Sequence, residues 1–277
     1  NPPKPIGRKK IWQHTDVGKY ALDNHLNLIE LGDFNNRETF QKISSLNVDM
    51  FVVVAFKILP EEYIELPKFG SINIHASLLP KYRGAAPIQW ALMNGDSFTG
   101  VSIFQIEKKV DTGRIICQEK IMIQKEDNFE TLSAKLSDLG SKVLIKSLRL
   151  IENDNLKLLA QNEKQSTTAP KIKKEMLRID WSWEAEKINN WVRGLSPFPS
   201  MYTVYEGKKL KIFKTNVINN DSKLSVGKIE IINSKELIVH SSKKMISILE
   251  VQQEGKKRLS IQDFLKGSNI KNGDNFS

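Results

Sequence analysis

The sequence predicts an α/β domain followed by a small antiparallel β-barrel. Over roughly the first 150 residues, apolar strand-like runs alternate with amphipathic helical patterns, which is typical of a largely parallel sheet covered by helices. After residue 200, five short strand-like runs follow one another within about 80 residues, with Gly207, Gly227 and Gly255 at turn positions between them. Short strands of this number and spacing predict an OB-like barrel.

A polar stretch separates the two predicted domains. Residues 161–174, QNEKQSTTAPKIKK, are rich in Thr and Lys and contain Pro170, which indicates a loop or linker. We therefore expect a first domain over residues 1–170, a linker with a helix over 171–200, and the barrel over 201–277.

The elements of the first domain follow from hydrophobic periodicity. Residues 49–60 form a nearly continuous apolar run, which predicts a strand buried on both faces. Apolar residues spaced by three and four predict the longest helix over 128–151, with Asp127 as its cap. The other predicted helices cover residues 17–26, 35–46, 86–93 and 178–194, and the other predicted strands cover 28–31, 71–74, 101–106 and 115–123.

Composition limits the class of protein. The chain has 277 residues, a net charge of +10 and one cysteine, Cys117. A single cysteine excludes an internal disulfide framework and a Cys-based zinc site, and it fits a reducing, cytoplasmic compartment. The positive charge favours a polyanionic partner such as a nucleic acid, although a Lys-rich composition alone is the alternative. No apolar run has the length of a membrane span, and His14, His25 and His240 lack metal-ligand spacing, so we expect no metal.

Three polar residues at strand ends are the candidate catalytic residues. Asn73 and His75 alternate at the end of a predicted strand, so both side chains point to the same face. An Asn amide donates to an oxygen that becomes negative in acyl transfer, and an imidazole donates to it or passes a proton. Asp111 follows a second strand and would act as a general base if it lay near His75. The alternatives are a structural histidine at a strand end and an aspartate that caps a turn.

Two further segments are candidates for binding. Ser77, Leu78, Leu79 and Pro80 predict a tight turn whose backbone suits a planar heteroaromatic ligand. Ser77 lacks the Gly-x-Ser-x-Gly context of a hydrolase nucleophile, and no phosphate-binding glycine loop occurs in the sequence. Residues 4–10, KPIGRKK, indicate either a basic binding loop or a solvated tail.

Taken together, these motifs resemble one family. The run INIHASLLPKYRGAAPIQWALMNGD, continued by TGVSIFQIEKKVDTG, is similar to the methionyl-tRNA formyltransferases, most densely over about residues 45–125. The opening basic loop resembles that family's tRNA-contacting loop. RIDWSWEAEKINNWVRGLSPFP and YEGKKLKIFKT resemble its linker helix and carboxy-terminal domain.

The resemblance implies a fold, a reaction and a set of site residues. It implies a Rossmann-like formyltransferase domain, which uses 10-formyltetrahydrofolate, and an OB-like domain that helps to hold initiator methionyl-tRNA. The formyl group would pass from the folate to the α-amine of the tRNA-bound methionine, in a monomeric cytoplasmic enzyme of bacterial type. The resemblance assigns catalysis to Asn73, His75 and Asp111, folate contact to Ser77, Leu78, Leu79 and Pro80, and tRNA contact to Arg8, Lys9 and Lys10.

One departure and several alternatives accompany this interpretation. Members of the family begin with a strand, a helix and a second strand before the basic loop, and this sequence starts after them. We therefore expect an amino-terminally truncated domain with an unpaired sheet edge, so that these 277 residues alone fold poorly or bind folate weakly while the full gene product is active. Folate-dependent enzymes that act on glycinamide ribonucleotide, on UDP-amino-sugars or on water share the Asn-x-His and Asp pattern, but the second domain and the basicity favour tRNA. A non-catalytic tRNA-binding protein is the alternative from another class.

Overall fold

The chain divides into two compact units, which cover residues 1–72 and 73–277. The structure is a computed structural model that describes residues 2–6, 10–54, 58–153, 155–222 and 224–277.

The first unit has a small aromatic core around Tyr63, which is 1% exposed. The rings of Phe34 and Phe40 meet the Tyr63 ring edge-on, with centroids 5.1 and 5.2 Å away, and the Tyr63 hydroxyl donates to the Phe34 carbonyl at 3.0 Å. The second helix begins where the Asn36 side chain accepts the backbone N–H of Glu38 at 2.8 Å, a standard N-cap. The elements of this unit are β1 Lys4–Ile6, β2 Ile11–Gln13, α1 Asp16–Asp23, α2 Arg37–Ser44, β3 Phe51–Val54 and α3 Glu61–Ile64.

Two predictions for the first unit are wrong. Residues 28–31, which were predicted as a strand, have no regular secondary structure. The Leu31 side chain packs against the aromatic core, but the backbone there is not part of a sheet. The predicted strand over 49–60 is shorter, with β3 ending at Val54 and residues 55–57 outside the described part of the chain. β3 is half-buried on one face, through Phe51 and Val53, and exposed on the other, where Val52 and Val54 are 41% and 57% exposed. The predicted helices over 17–26 and 35–46 are confirmed as α1 and α2.

The second unit begins within β4 and contains a sheet in which β4 neighbours β5 and β5 neighbours β6. β5 and β6 form an antiparallel hairpin, which departs from the largely parallel arrangement that the alternation of strands and helices predicts. The loop between them carries Asp111. This part of the fold contains β4 Ser71–His75, α4 Pro87–Met93, β5 Phe98–Gln105, β6 Ile115–Met122 and α5 Phe129–Glu152.

Helix α5 is the long helix that the sequence predicts, but its cap is one residue later. The Asn128 side chain accepts the N–H of Thr131 at 3.0 Å, so Asn128 is the N-cap and the prediction of Asp127 is wrong. Asp127 instead accepts from Lys135 at 2.7 Å and from the N–H of Gln124 at 2.8 Å. Burial alone would raise the pKa of the Asp127 carboxyl, but these hydrogen bonds hold it below its usual range.

Helix α6 starts later than predicted, at Ala185 instead of residue 178. Ile179 donates its N–H to the Tyr202 carbonyl at 2.8 Å, so the preceding backbone pairs with a strand of the barrel. The Asp180 carboxylate then accepts the N–H of Ser182 at 2.9 Å, which makes a turn that competes with the helix. α6 also lies close to α4, because a Cβ on Gly194 would meet the backbone oxygen of Gln89 at 3.2 Å.

The carboxy-terminal half of the second unit is an antiparallel sheet in the order β7-β8-β11-β10-β9, with β12 on β11. The last residues bridge its two edge strands. Val204 of β7 and Ser277 exchange N–H···O bonds of 3.0 and 3.1 Å, while Ile229 of β9 donates its N–H to the Asp274 carbonyl at 2.9 Å. The five predicted short strands are therefore confirmed, and residues 274–277 close the sheet. The elements are α6 Ala185–Leu195, β7 Met201–Tyr205, β8 Lys208–Ile218, β9 Ile229–Ile232, β10 Glu236–His240, β11 Met245–Gln253, β12 Leu259–Ser260 and α7 Ile261–Lys266.

Candidate active site

The carboxyl end of β4 brings Asn73 and His75 to one face of the sheet, as their alternation predicts. His75 is 6% exposed, and its ring lies edge-on to Phe104, with centroids 6.4 Å apart. The imidazole is therefore held inside the fold and is not a surface histidine.

Both nitrogens of the His75 ring face polar groups. Nε2 lies 2.8 Å from the Tyr82 carbonyl oxygen, and only an N–H at Nε2 satisfies that contact. Nδ1 lies 3.7 Å from Oδ2 of Asp111, and the side chains of His75 and Asp111 are 7% and 10% exposed. The structure thus brings together the imidazole and the carboxylate, a contact that sequence spacing could not give. In this tautomer the lone pair of His75 is on the side of Asp111.

Asp111 reaches His75 because its backbone adopts a left-handed conformation. Its φ angle is +56°, in the left-handed region that favours glycine. Oδ2 of Asp111 accepts the backbone N–H of Gly84 at 2.8 Å, which fixes the carboxylate between that amide and the imidazole. Gly113, two residues later, has its backbone so close to Gln105 that a Cβ there would lie 1.6 Å from the Gln105 carbonyl oxygen. A side chain at Gly113 would push this loop out of place.

Asn73 has unused hydrogen-bonding capacity. Its amide oxygen Oδ1 is buried and has no hydrogen-bond partner among the residues that the structure describes. A buried polar atom without a partner costs about 1–3 kcal/mol, so such atoms in a folded protein call for an explanation. A side chain held in this state beside a catalytic-type pair is typical of a group that completes its contacts with a substrate.

Two polar residues hold the turn over Ser77, Leu78, Leu79 and Pro80 by hydrogen bonds to its backbone. Sequence reasoning did not identify either of them as a site residue. Ser102 Oγ donates to the Ser77 carbonyl at 2.6 Å and accepts the Leu79 N–H at 3.0 Å. Gln118 Nε2 donates to the Leu79 carbonyl at 2.8 Å and to Ser102 Oγ at 2.7 Å. Ser77 is fully buried and its hydroxyl donates to the Lys81 carbonyl at 2.6 Å, so it is not an exposed nucleophile.

Tyr82 anchors the loop that supplies the carbonyl partner of His75. Its hydroxyl donates to Asp96 Oδ2 at 2.8 Å and accepts from Asn94 Nδ2 at 3.0 Å. Burial and then the Asp96 carboxylate raise the pKa of Tyr82 to about 12, although the bond from Asn94 opposes them. The phenol therefore stays protonated and keeps this anchor over the whole physiological pH range.

The residues predicted to contact tRNA lie in the first unit. Arg8 and Lys9 fall outside the described residues, and Lys10 is exposed just before β2. In the part of the chain that the structure describes, no group of three or more His, Cys, Asp or Glu side chains is arranged to hold a metal ion. None of the helices in that part is long and apolar enough to cross a membrane.

Comparison with protein families shows the class of protein. The model of the formyl transferase family matches residues 1–148, and the model of the formyl transferase carboxy-terminal domain matches residues 171–269. Together the two matches take in the β4 site and most of the antiparallel sheet domain. The chain therefore has the two domains of a formyl transferase.

Curated relatives narrow the class. A methionyl-tRNA formyltransferase of Caldanaerobacter subterraneus is 41% identical over 275 residues, which cover 98% of this chain and 88% of the relative. That of Thermodesulfovibrio yellowstonii is 42% identical over 279 residues, which cover 100% and 89%. The chain belongs to the methionyl-tRNA formyltransferase family.

A solved structure supports the fold. The N-formyltransferase from Helicobacter canadensis, in complex with folinic acid and dTDP-3-aminofucose, matches with a TM-score of 0.65 over 85% of this chain and 81% of its own. The identity is 21%, so this likeness concerns the fold alone.

Proposed function

We propose that this protein transfers the formyl group of 10-formyltetrahydrofolate to the α-amine of initiator methionyl-tRNA. Family membership supports the reaction, and the relatives' name supports the acceptor. The net charge of +10 suits an RNA substrate, since Lys and Arg side chains gain affinity by releasing counterions from phosphates.

A folate is the donor that fits best. The Helicobacter canadensis relative in fold was solved with folinic acid, a folate derivative. In this chain, Ser77, Leu78, Leu79 and Pro80 would contact the folate. Ser102 and Gln118 support this assignment, because three hydrogen bonds from them to Ser77 and Leu79, and a fourth between the two side chains, hold the turn before any ligand arrives. A turn fixed in advance costs less entropy to bind a ligand than a mobile one.

The proposed reaction exchanges one acyl bond and one proton. The amine nitrogen bonds to the formyl carbon, the bond from that carbon to N10 of the folate breaks, the amine loses a proton, and N10 takes up a proton. The amide N–H of Asn73 would donate to the formyl oxygen as that oxygen becomes negative. A single donor of this kind is typically worth about 2.7–4 kcal/mol of the barrier.

Asp111 and His75 would take the amine proton. The Asp111 carboxylate is aimed by the Gly84 N–H, and Nδ1 of His75 faces it at 3.7 Å. That separation is longer than a hydrogen bond, as catalytic contacts often are before the substrate arrives. Because Nε2 of His75 already donates to the Tyr82 carbonyl, the oxyanion is assigned mainly to Asn73, and His75 shares the proton through Nδ1. This buried imidazole–carboxylate pair, together with Asn73, whose Oδ1 has no hydrogen-bond partner among the described residues, is the observation that carries the proposal.

The remaining assignments concern the tRNA contacts, the roles of the domains, the oligomeric state and the cellular compartment. Arg8, Lys9 and Lys10 would contact the tRNA, with a catalytic domain over residues 1–170, a linker and helix over 171–200 and a tRNA-holding domain over 201–277. We propose a monomer that works in the cytoplasm, for which the single cysteine is the supporting feature.

An acceptor panel tests the proposal. The full chain is mixed with radiolabelled 10-formyltetrahydrofolate and, separately, with methionyl initiator tRNA, methionyl elongator tRNA, glycinamide ribonucleotide, a UDP-amino-sugar or buffer alone. We expect label in the methionyl initiator tRNA and little elsewhere. Transfer only to another acceptor, or release of formate in buffer alone, would reject the assignment. Tight tRNA binding without any transfer would support the non-catalytic alternative.

A further inference from the structure

The segment that the sequence predicts as a linker runs along the candidate active site. Residues 159–169, named here the strap, start with a pair of hydrogen bonds of 2.8 and 2.9 Å between the backbones of Leu159 and Ile115, at the beginning of β6. The strap then reaches the loop around Arg83, whose N–H donates to the Thr167 carbonyl at 2.9 Å and whose carbonyl accepts from Ala169 at 2.7 Å. The strap thus joins β6 to the loop that carries Gly84, the partner of Asp111.

Between these two attachments, Gln161 contacts the Asp111 loop directly. Its amide nitrogen donates to the carbonyls of Asp111 and Gly113, at 2.9 and 2.8 Å. Its amide oxygen accepts from Nε and Nη2 of Arg83, at 3.0 and 2.7 Å. This orientation of the amide is unambiguous, because the flipped form would point an NH₂ group at a guanidinium that has no acceptor.

These contacts hold a backbone that would otherwise relax. A left-handed φ of +56° is sparsely populated by non-glycine residues, and it persists where the surrounding contacts enforce it. Gln161 donates to the carbonyls of Asp111 and Gly113, so one side chain holds both ends of the turn. The same turn aims the Asp111 carboxylate at the Gly84 N–H and at Nδ1 of His75.

We propose that Gln161 is a positioning residue for Asp111. Arg83 locks the amide of Gln161, and the amide in turn holds the Asp111 carboxylate against His75. The consequence for catalysis rests on the proposed formyl transfer, whereas the geometric part stands on the hydrogen bonds alone. The strap also leads towards α6 and the antiparallel sheet domain, so the segment that connects the two halves of this unit carries part of the active-site geometry.

Three variants separate positioning from simple anchoring. Gln161→Leu removes both donors and the acceptor, and Gln161→Glu keeps the acceptor for Arg83 but replaces both donors. Glu163→Gln is the matched control, because the exposed Glu163 carboxylate also pairs with Arg83, at 2.7 Å, whereas its interaction with the Asp111 loop is an electrostatic attraction to Lys109 and not the backbone hydrogen bonds that Gln161 makes. We expect both Gln161 variants to lower kcat roughly 10-fold to 100-fold, the usual effect of misplacing a reacting group by about 1 Å, with KM for both substrates within about threefold. The control should keep the wild-type kcat.

An NMR measurement tests the geometry without relying on catalysis. The chain has four histidines, so the ring-nitrogen resonances of His75 can be assigned with a His75→Ala variant, and the other three serve as references. We expect the Nδ1 resonance of His75 to move in folded Gln161→Leu and Gln161→Glu proteins and to stay in place in Glu163→Gln. An unchanged His75 resonance in both Gln161 variants, or an equal change in the control, would overturn the proposal. If the wild-type protein formylates no methionyl-tRNA while the resonance responds as expected, the proposed function fails and the positioning role stands.

Discussion

The β4 site and the antiparallel sheet domain lie in the same compact unit, yet they are built in opposite ways. The sheet domain has an apolar interior in which Ile212, Leu237 and Ile246 are fully buried. Each of its strands pairs antiparallel with its neighbours in the sheet. The site is polar: Asp111 has a left-handed φ, the buried Oδ1 of Asn73 has no partner among the described residues, and Asp111 is held by Gly84 and Gln161 from distant segments. Stability is therefore concentrated where local patterns agree, whereas the site gives up local stability to hold reactive groups in place.

Among the variants that contrast activity with stability, Asn73→Ala has the largest expected effect. If the site sacrifices stability for chemistry, Asn73→Ala should lower kcat about 10²–10³-fold, the typical cost of losing one oxyanion donor. Its free energy of unfolding should stay equal or rise, because the buried unpaired Oδ1 disappears. Single-turnover formylation and urea unfolding of the same preparation measure the two quantities. A large fall in stability with near-normal turnover would show that Asn73 serves the fold and not the reaction.

The opposite result is expected from the interior of the sheet domain. Ile212 is 0% exposed, so Ile212→Ala should lower the free energy of unfolding by about 2–5 kcal/mol through lost burial and a residual cavity. The value of kcat per folded molecule should not change. Ile212→Val is the matched control and should cost only about 0.5–1.5 kcal/mol in the same urea titration. Equal losses in the two variants would show that this interior is not tightly packed.

A smaller effect should separate folate binding from proton transfer. Ser102→Ala removes the hydroxyl that bonds the Ser77 carbonyl and the Leu79 N–H. Leaving such buried groups without partners costs about 1–3 kcal/mol, and the turn should loosen. We expect KM for 10-formyltetrahydrofolate to rise roughly tenfold while KM for the tRNA stays the same, an effect that initial-rate kinetics with each substrate varied can measure. An increase confined to the KM for the tRNA would show that the turn does not contribute to folate binding.

The smallest effect concerns the closure of the sheet domain at its carboxy-terminal end. Tyr205 donates to Asp274 Oδ2 at 2.6 Å, and this bond, followed by the Lys271 N–H, holds the pKa of Asp274 below its usual range. The same bond, with burial, raises the pKa of Tyr205 to about 12, so the phenol remains a donor.

The sign of the pH dependence follows from that lowered pKa. The Asp274 contribution is fully present above the unfolded-state pKa of about 3.9 and is lost as the pH falls through the lower pKa of the folded state. The urea midpoint of the wild-type protein should therefore exceed that of Asp274→Asn at pH 7, and the gap should close towards pH 3. A gap of the same size at both pH values would contradict this account of the closure.

The same contrast explains what the sequence could and could not predict. The alternation of Asn73 and His75 on a strand is local, so their shared face could be predicted, as could the five short strands after residue 200. Strand order is not readable from one sequence, so the approach of Asp111 to His75 remained open. Gln161 was missed because a polar segment with Pro170 has the composition of a linker, whatever its side chains bind. The start of α6 was predicted too early because Ile179 pairs with Tyr202, a partner that helical periodicity cannot reveal.

Asp111→Asn tests the central claim, formyl transfer by the β4 site, most directly. The substitution keeps the size of the side chain and removes its ability to accept a proton. The rate of formylmethionyl-tRNA formation from 10-formyltetrahydrofolate and methionyl initiator tRNA is measured for the wild-type protein and the variant side by side. We predict transfer by the wild-type protein and a rate about 10²–10⁴-fold lower for the variant, the usual contribution of a general base. A variant that turns over within threefold of the wild-type rate, or a folded wild-type protein without transfer, would contradict the account.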